Sequence, residues 1–474
     1  MLAYEQLDFD SDQAIVGLMA KHLSEFRTFP LFFYGQHYML GVQAWMAAPF
    51  FWVGGPTVAM LRMPLVIINC VVALWLLRYI TRSVGSPWLA FMAVLPFVAA
   101  TPVLSSHLLE ALGASVEPFL YVLLLWALRG RPTAFGLVLG LGFLHREFTI
   151  FALLGVGVGT WRETGRSNFL ARTWVTRAAF AFAAVWLLVD QLKRRIDSLG
   201  PPGEAIETAP LTLQFQSLLS RVAMRPSIVF PKLRQAITEC LPDLLGMRAL
   251  QPLRYNINAT VSVGSVAIGL ILVAVGATCL VRLAVLFLPR RGRVVIPLPS
   301  PFCTYLAAVG IQAILAYSLS DAVDPRFTPI LRYALLALFL PIALVTAFFE
   351  VERRCDSCAV VALLLGLCAA LNTRDNWRVI DEYRRTPPPS EHRVLADDLV
   401  AHHIRYGSAI YWDAYITDFF SRERVIVTST EKVRIGGYEA RVTKNVANSV
   451  RIVRQPCTEG RRVASWCIID PFNR

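Results

Sequence analysis

Ten apolar runs constrain this chain more than anything else in it. They lie near residues 57–77, 87–103, 115–128, 133–145, 148–161, 177–191, 259–287, 300–318, 328–349 and 358–371. A run of about 20 apolar residues crosses a bilayer as a helix, and a shorter one does so when it is buried among neighbours. Hydrocarbon offers no hydrogen bonds to the backbone, so a helical bundle is the architecture such runs dictate. Composition agrees: 55% of the 474 residues are hydrophobic and 17% charged, against about 25% charged in soluble domains. The expected fold class is mainly α, a polytopic transmembrane bundle of about ten spans with a small C-terminal α/β domain outside the membrane.

The short connections orient the bundle. Alternate ones carry Arg78 and Arg82, Arg129 and Arg131, Arg162, Arg166, Arg172 and Arg177, Arg290, Arg291 and Arg293, and Arg353 and Arg354. The segment 104–117 has no Arg or Lys, and 145–147 has only Arg146. The excess of positive charge inside puts the first set in the cytoplasm. The same distribution explains the net charge of +13 and argues against nucleic acid as a partner, since the bases sit between spans rather than along one helix face.

Three extracytoplasmic pieces follow: residues 1–56, a basic loop 192–258 within the bundle region 57–371, and the tail 372–474. The stretch 38–54 is apolar but carries Gln43 and ends at Gly54-Gly55-Pro56, which suits an interfacial helix. Pro201, Pro202, Arg221, Arg225, Lys232 and Arg234 give the 192–258 loop the look of amphipathic helices on the bilayer, where acidic phospholipid or a lipid phosphate docks. In the tail, Pro387-Pro388-Pro389 marks a linker, 395–406 reads as helix, and 424–428, 449–454 and 463–469 read as strands.

Nine cysteines form no framework. Cys70, Cys279, Cys303 and Cys368 lie in apolar runs as small buried residues. Cys355 and Cys358 have CxxC spacing without a second pair, which reads as structural. Cys457 and Cys467 share the tail, and a disulfide there is reasonable if the tail faces an oxidising compartment. The first 30 residues hold Glu5, Asp8, Asp10, Asp12 and Glu25 and show no apolar signal-peptide core.

An acid pair, Asp10-Ser11-Asp12, therefore stands at the mouth of the bundle. Acids in that position either bind a cation or activate a hydroxyl. They also cap helices, and Asp12 is a suitable N-cap for a helix over 13–25.

The order of several segments carries a resemblance. It runs through Asp10-Ser-Asp-Gln-Ala-Ile-Val-Gly-Leu-Met-Ala-Lys-His22, Pro30-Leu-Phe-Phe-Tyr-Gly-Gln36 and Ala47-Ala-Pro-Phe50. It continues through Gly113-Ala-Ser-Val-Glu117, the His145-Arg146 break, Asp324-Pro-Arg-Phe327, Tyr411-Trp-Asp-Ala-Tyr415 and Ser421-Arg-Glu-Arg-Val425. Nearly the whole chain resembles the GT-C glycosyltransferases, a superfamily that includes the protein O-mannosyltransferases and the lipid A aminoarabinose transferase. The resemblance implies a bundle of GT-C type in a bacterial inner membrane, with active site and C-terminal domain on the periplasmic side. It implies transfer of a sugar from a polyprenyl-phosphate donor to a lipid, glycan or protein acceptor, with membrane lipids as further partners. Two departures stand out. The pattern places a first transmembrane helix before the acidic loop, whereas Met1 lies nine residues before Asp10, and Gln13 stands where relatives carry Glu.

A sugar on a phosphate carrier already has a good leaving group, so the enzyme needs a base for the acceptor hydroxyl and positive charge for the released phosphate. The resemblance aligns Asp12 with the catalytic acid. Asp10 is expected to orient Asp12, share its proton or help hold a divalent metal ion, the one cofactor the pattern allows. Arg146, Arg326 and Arg332 are the expected phosphate contacts, with ion pairing of Arg146 to Glu147 and interfacial snorkelling of Arg326 and Arg332 as their structural alternatives. Glu110, Glu117 and His145, with His107 beside them, are candidate substrate contacts, although Glu117 also suits the first turn of a helix. Tyr34, Gln36 and His37 are expected to shape the sugar or acceptor pocket, or to belong to an aromatic interface belt. Tyr411, Trp412, Asp413 and Tyr415 suit either a carbohydrate face or the core of a small domain. Competing readings are a secondary transporter, with charges at mid-bilayer in paired, broken helices, a polyprenyl-linked glycan ligase or polymerase, with its key bases in a late loop, and a membrane scaffold.

Overall fold

A computed structural model describes the chain except residues 1, 3, 4, 6–8, 37, 38, 165–170, 200–224, 251–258, 288–298, 322–328, 353, 389, 458 and 471–474. The first helix, α1 (Ser11–Ser24), begins where Asp10 accepts a hydrogen bond from the Gln13 backbone N–H at 2.9 Å. The N-cap is thus Asp10, and Asp12 lies inside the first turn. A helix begins one residue after the last extended residue, and Asp10 is that residue, with φ −116° and ψ 177°. Helix α2 (Val42–Gly54) follows, and then the bundle starts with α3 (Val58–Val84).

All ten apolar runs become helical, but not all become long spans. Helices α4 (Pro87–Val98) and α5 (Pro102–Leu108) meet at an 80° bend in the run expected as one span over 87–103. Thr101 accepts from the Leu104 N–H and Pro102 opens α5, so the chain restarts a helix there instead of continuing one. Next come α6 (Glu117–Ala127), α7 (Pro132–His145), a 3₁₀ turn Glu147–Ile150, α8 (Phe151–Thr164) and α9 (Arg172–Leu199). Beyond the undescribed 200–224, α10 (Pro226–Gln235) passes through a π turn into α11 (Leu241–Leu245), and two short strands pair, β1 (Ala249–Leu250) with β2 (Ala259–Thr260). The remaining bundle helices are α12 (Val263–Phe287), α13 (Pro301–Leu319), α14 (Phe339–Val351), preceded by 3₁₀ turns Leu331–Tyr333 and Leu335–Leu338, and α15 (Cys355–Arg385).

Five helices are long and apolar enough to cross a membrane, or six with α4 and α5 as one bent span. The apolar helices at 117–127, 132–145, 147–161 and 335–351 are shorter than a full crossing. Helices α7 and α9 approach closely because Gly136 and Gly140 lie one turn apart on the contact face. A Cβ at Gly136 would sit 2.2 Å from the Ala178 carbonyl oxygen, and one at Gly140 would sit 3.0 Å from Val185. Small residues at four-residue spacing are the usual means of such an approach in lipid. Gly136→Val is expected to push α7 off α9 and to lower the thermal unfolding midpoint of the purified protein, with about 1–3 kcal/mol lost to overpacking. An unchanged midpoint would show that the interface accepts a side chain.

The boundary expected at 371/372 falls inside α15. The hydropathy stops there but the helix does not, because backbone hydrogen bonding continues through Asn372–Arg385 into solvent-compatible residues. The described residues between α15 and the next helix are 386–388 and 390. The C-terminal domain then forms α16 (Glu391–Ala401), β3 (Tyr406–Ala409), α17 (Tyr411–Phe420), β4 (Ile426–Ser429), α18 (Gly436–Lys444), β5 (Ser449–Arg454), β6 (Arg461–Val463) and β7 (Trp466–Ile469). The helix read over 395–406 ends at Ala401, and its last residue belongs to β3. The sheet order is β4-β3-β5-β7-β6, with β4, β3 and β5 parallel and the last three antiparallel. Leu395, Leu399, Val427, Val450, Ile452 and Trp466 share its core, and a disulfide joins Cys457 to Cys467. Asp413 is buried and accepts from His392 and from both arms of Arg454, at 2.9–3.0 Å. Burial alone would raise this carboxyl, and those donors instead hold it well below the usual range. Asp413 therefore serves the domain's interior.

Candidate active site

The first turn of α1 is where the bundle and the C-terminal domain meet. Ser11 Oγ donates to the Tyr411 carbonyl at 2.7 Å, and Tyr411 Oη donates to Asp12 Oδ1 at 2.5 Å. Gln13 is buried, and its Oε1 accepts from the Ala111 N–H at 3.0 Å and from Arg62 Nη2 at 3.3 Å. A neutral amide oxygen here ties α1 to α3 and to the loop 109–116.

That loop supplies Glu110, which is buried and 3.2 Å from His107. Burial would raise its carboxyl. The His107 hydrogen bond and charge, then Arg332 and Arg62, outweigh burial and hold it below the usual carboxylate range. Arg332, in the 3₁₀ turn before α14, lies in the field of Tyr333, Glu110, Asp10 and Asp12. One guanidinium is thus within electrostatic range of three acids drawn from two separate parts of the sequence. Arg326 and His37 lie outside the described residues.

Arg146 donates from Nε to the Gly113 carbonyl at 3.1 Å and from Nη2 to the Leu112 carbonyl at 2.6 Å. It thereby holds the loop that carries Glu110. Below it, His145 is buried, with Nδ1 3.1 Å from Tyr121 Oη. Its Nε2 has no partner and lies against Gly113, where a Cβ would be 2.6 Å away. Gly113 also has φ +79°, so the loop requires glycine there twice over. Glu117 Oε2 accepts from Ser115 N and Oγ at 3.1 and 3.0 Å, and its Oε1 is buried without a partner. Arg146→Gln is expected to loosen the loop and lower the unfolding midpoint, at roughly 1–3 kcal/mol for carbonyls left unsatisfied. Hydrogen exchange confined to residues 109–116 is the measurement, and an unaltered rate there would remove the role.

The segment 33–36 faces the C-terminal domain. Gly35, at φ +64°, lets the turn pass Arg434, whose Nη1 donates to the Gly35 carbonyl at 3.1 Å. With the Gln36 amide turned to match its neighbours, its oxygen accepts from Arg434 Nη1 and Nη2 at 2.9 Å. Arg434 Nε also reaches Tyr411 Oη at 3.3 Å, and its guanidinium lies over the rings of Phe33 and Tyr411. Tyr34 points elsewhere: its hydroxyl is 2.9 Å from His22 Nδ1 and 2.7 Å from Thr28 Oγ1. His22 belongs to a second junction around Glu423, which is also bonded by Lys21, Arg27 and Tyr438. Gly17 lies between the two junctions, where Phe419 of α17 packs so closely that a Cβ would be 2.5 Å from its ring.

The structure thus sets Asp10 and Asp12 at one helix end, the Glu110 loop against it and Gln36 near it through Arg434, with Arg332 within electrostatic range, while Tyr34, His145 and Glu117 sit in adjoining networks. Sequence reasoning missed Arg62 and Arg434. Arg62 carried a signal, a lone cation in the second turn of an apolar span, which is costly unless it is paired or functional. Arg434 carried none, because its neighbours in sequence are those of an ordinary surface turn. Among the described residues, no three His, Cys, Asp or Glu side chains form a group able to hold a metal.

No family model and no curated protein matches the chain. Solved structures do. The ArnT of Cupriavidus metallidurans bound to undecaprenyl phosphate matches over 96% of this chain and 91% of its own, at 11% identity and TM-score 0.52. The same protein in the apo state gives a TM-score of 0.39 at 11% identity over 96% and 90% of the two chains. The apo oligosaccharyltransferase of Archaeoglobus fulgidus gives 0.44 at 13% identity over 95% and 66%. The last two scores are too low to carry an argument. At 11% identity the first speaks for the fold alone, and it does so over nearly the full length of both chains. With its apolar helical bundle and small C-terminal sheet domain, the chain has the fold of that ArnT structure.

Proposed function

We propose that this chain is an integral-membrane glycosyltransferase that moves a sugar from a polyprenyl-phosphate carrier to an extracytoplasmic acceptor. The observation that carries the reading is the placement of Asp10 and Asp12 at the start of α1, which Gln13 ties to the loop bearing the buried Glu110. In an inverting single displacement, the acceptor oxygen attacks the anomeric carbon while the bond from that carbon to the phosphate oxygen breaks. The acceptor proton passes to the Asp12 carboxylate, and the electron pair leaves with the carrier phosphate. Arg332, half-buried with its guanidinium 5.5 Å from the Tyr333 ring centre, supplies positive charge for that phosphate, and Arg326 is assigned to the same task. Asp10 holds the helix end on which Asp12 rides, and Gln36 lines the approach. The Cys457–Cys467 disulfide supports a periplasmic tail in a bacterial inner membrane.

The test is transfer of labelled sugar from polyprenyl-phosphate donors to total envelope acceptors in vesicles containing the chain, with the product's anomeric configuration read by NMR. Transfer with inversion supports the scheme, retention removes the single displacement, and no transfer from any such donor sinks the reading. Arg332→Gln is expected to lower kcat/KM for the donor by about 10- to 100-fold, as for one lost charge-assisted contact. An unchanged value would take Arg332 away from the phosphate.

A further inference from the structure

Asp12 is held from outside the membrane bundle. One of its oxygens accepts the Tyr411 hydroxyl, and that hydroxyl is in turn contacted by Arg434 Nε at 3.3 Å. Arg434 is itself fixed by the Gly35 carbonyl and the Gln36 amide oxygen, and the Tyr411 backbone is fixed at both ends, by Ser11 Oγ at its carbonyl and by Glu431 at its N–H. Burial first, then the Asp12 charge, push the Tyr411 phenol well above its ordinary range, so this hydroxyl remains a donor throughout the physiological range. The bonds from Tyr411 and Arg434 to Ser11, Asp12, Gly35 and Gln36 join segments more than 370 residues apart in the chain, since 11–36 meets 411–434.

Building on the glycosyltransferase reading, we propose that Tyr411 and Arg434 of the C-terminal domain are positioning residues for Asp12, so that the active site is complete only with that domain docked. Tyr411 fixes Oδ1 and thereby turns Oδ2 toward the space where an acceptor hydroxyl arrives. Arg434 keeps the Tyr411 ring and the 33–36 turn in register with each other. The domain thus supplies part of the catalytic geometry in addition to any part in holding acceptor.

Tyr411→Phe tests this, because the ring and its packing remain and only the donor is lost. Losing the bond that orients Asp12 should lower kcat about 10-fold, as for one hydrogen bond to a charged group, with the donor KM unchanged. Arg434→Gln should lower kcat in the same way, and Arg434→Lys should restore it only in part, because an ammonium lacks the planar fork. Limited proteolysis between α15 and α16, compared with wild type, reports docking separately. An unaltered kcat, a loss that appears in the donor KM, or a lower kcat accompanied by faster cleavage would confine Tyr411 to packing and overturn the proposal. If the wild-type chain itself transfers no sugar, the underlying reading fails and this inference falls with it.

Discussion

Asp12→Asn is expected to reduce sugar transfer by about 10²- to 10⁴-fold, the usual contribution of a general base, with little change in stability. Asparagine keeps the shape of the side chain and an oxygen that can accept from Tyr411 Oη, so the contact between α1 and the C-terminal domain persists. It lacks only the capacity to take the acceptor's proton. Asp10→Asn is the matched control. Asn caps helices about as well as Asp, so the bond from the Gln13 N–H survives, and the loss should be much smaller than at Asp12. Initial rates in vesicles at matched protein level decide the matter. Equal transfer by wild type and Asp12→Asn would remove Asp12 as base and move that role to Asp10 or Glu110.

The second large effect concerns the junction between α1 and the C-terminal domain. Glu423→Ala should destabilise the docked domain by about 3–5 kcal/mol, as when one partner of a buried ion pair is removed. Glu423 accepts from Lys21, His22, Arg27 and Tyr438 while nearly buried itself. Without it, Lys21 and His22 stay desolvated with no carboxylate from the domain facing them. The measurements are the thermal unfolding midpoint and the rate of protease cleavage between α15 and α16, and values equal to wild type would assign docking to apolar contacts such as Gly17 against Phe419.

The pH dependence of this junction has a definite sign. Burial would raise the Glu423 carboxyl, but the His22 and Arg27 hydrogen bonds, followed by the His22 charge and Lys21, depress it far below the usual range. A depressed carboxyl contributes stability that is fully present above its unfolded value of about 4.3 and is lost only as pH falls through the lower folded value. Between pH 5 and 8 the Glu423 contribution should therefore be flat, and it should decline only in strong acid.

Much of the fold was legible because lipid imposes simple rules. Each apolar run had to be a helix, and each of the ten is. Their lengths were not legible: hydropathy over 87–103 is continuous, whereas the backbone breaks at Thr101-Pro102 because a capping hydroxyl and a proline favour a new start. The opposite error occurred at 371, where apolar residues stop and the helix carries on to Arg385. Hydropathy reports the solvent around a helix, and backbone hydrogen bonding sets where it ends.

At the candidate site the sequence determined the chemical types by itself: an acid pair in a polar segment ahead of the first span, acids in the 104–117 loop, and arginines at membrane breaks. These follow from local rules, since ionisable groups near hydrocarbon are costly and persist only where they are paired or used. Tertiary structure alone decided the assignments within that set. It brought Arg332 within electrostatic range of the acids, turned Arg146 onto loop carbonyls, sent the Tyr34 hydroxyl to His22, and set Tyr411 and Arg434 against the first turn of α1 and the 33–36 turn. Periodicity and composition describe a residue's surroundings within a few turns of chain. Which guanidinium meets which carboxylate across nearly 400 residues depends on how separate elements pack, and that information appears only when the chain is closed on itself.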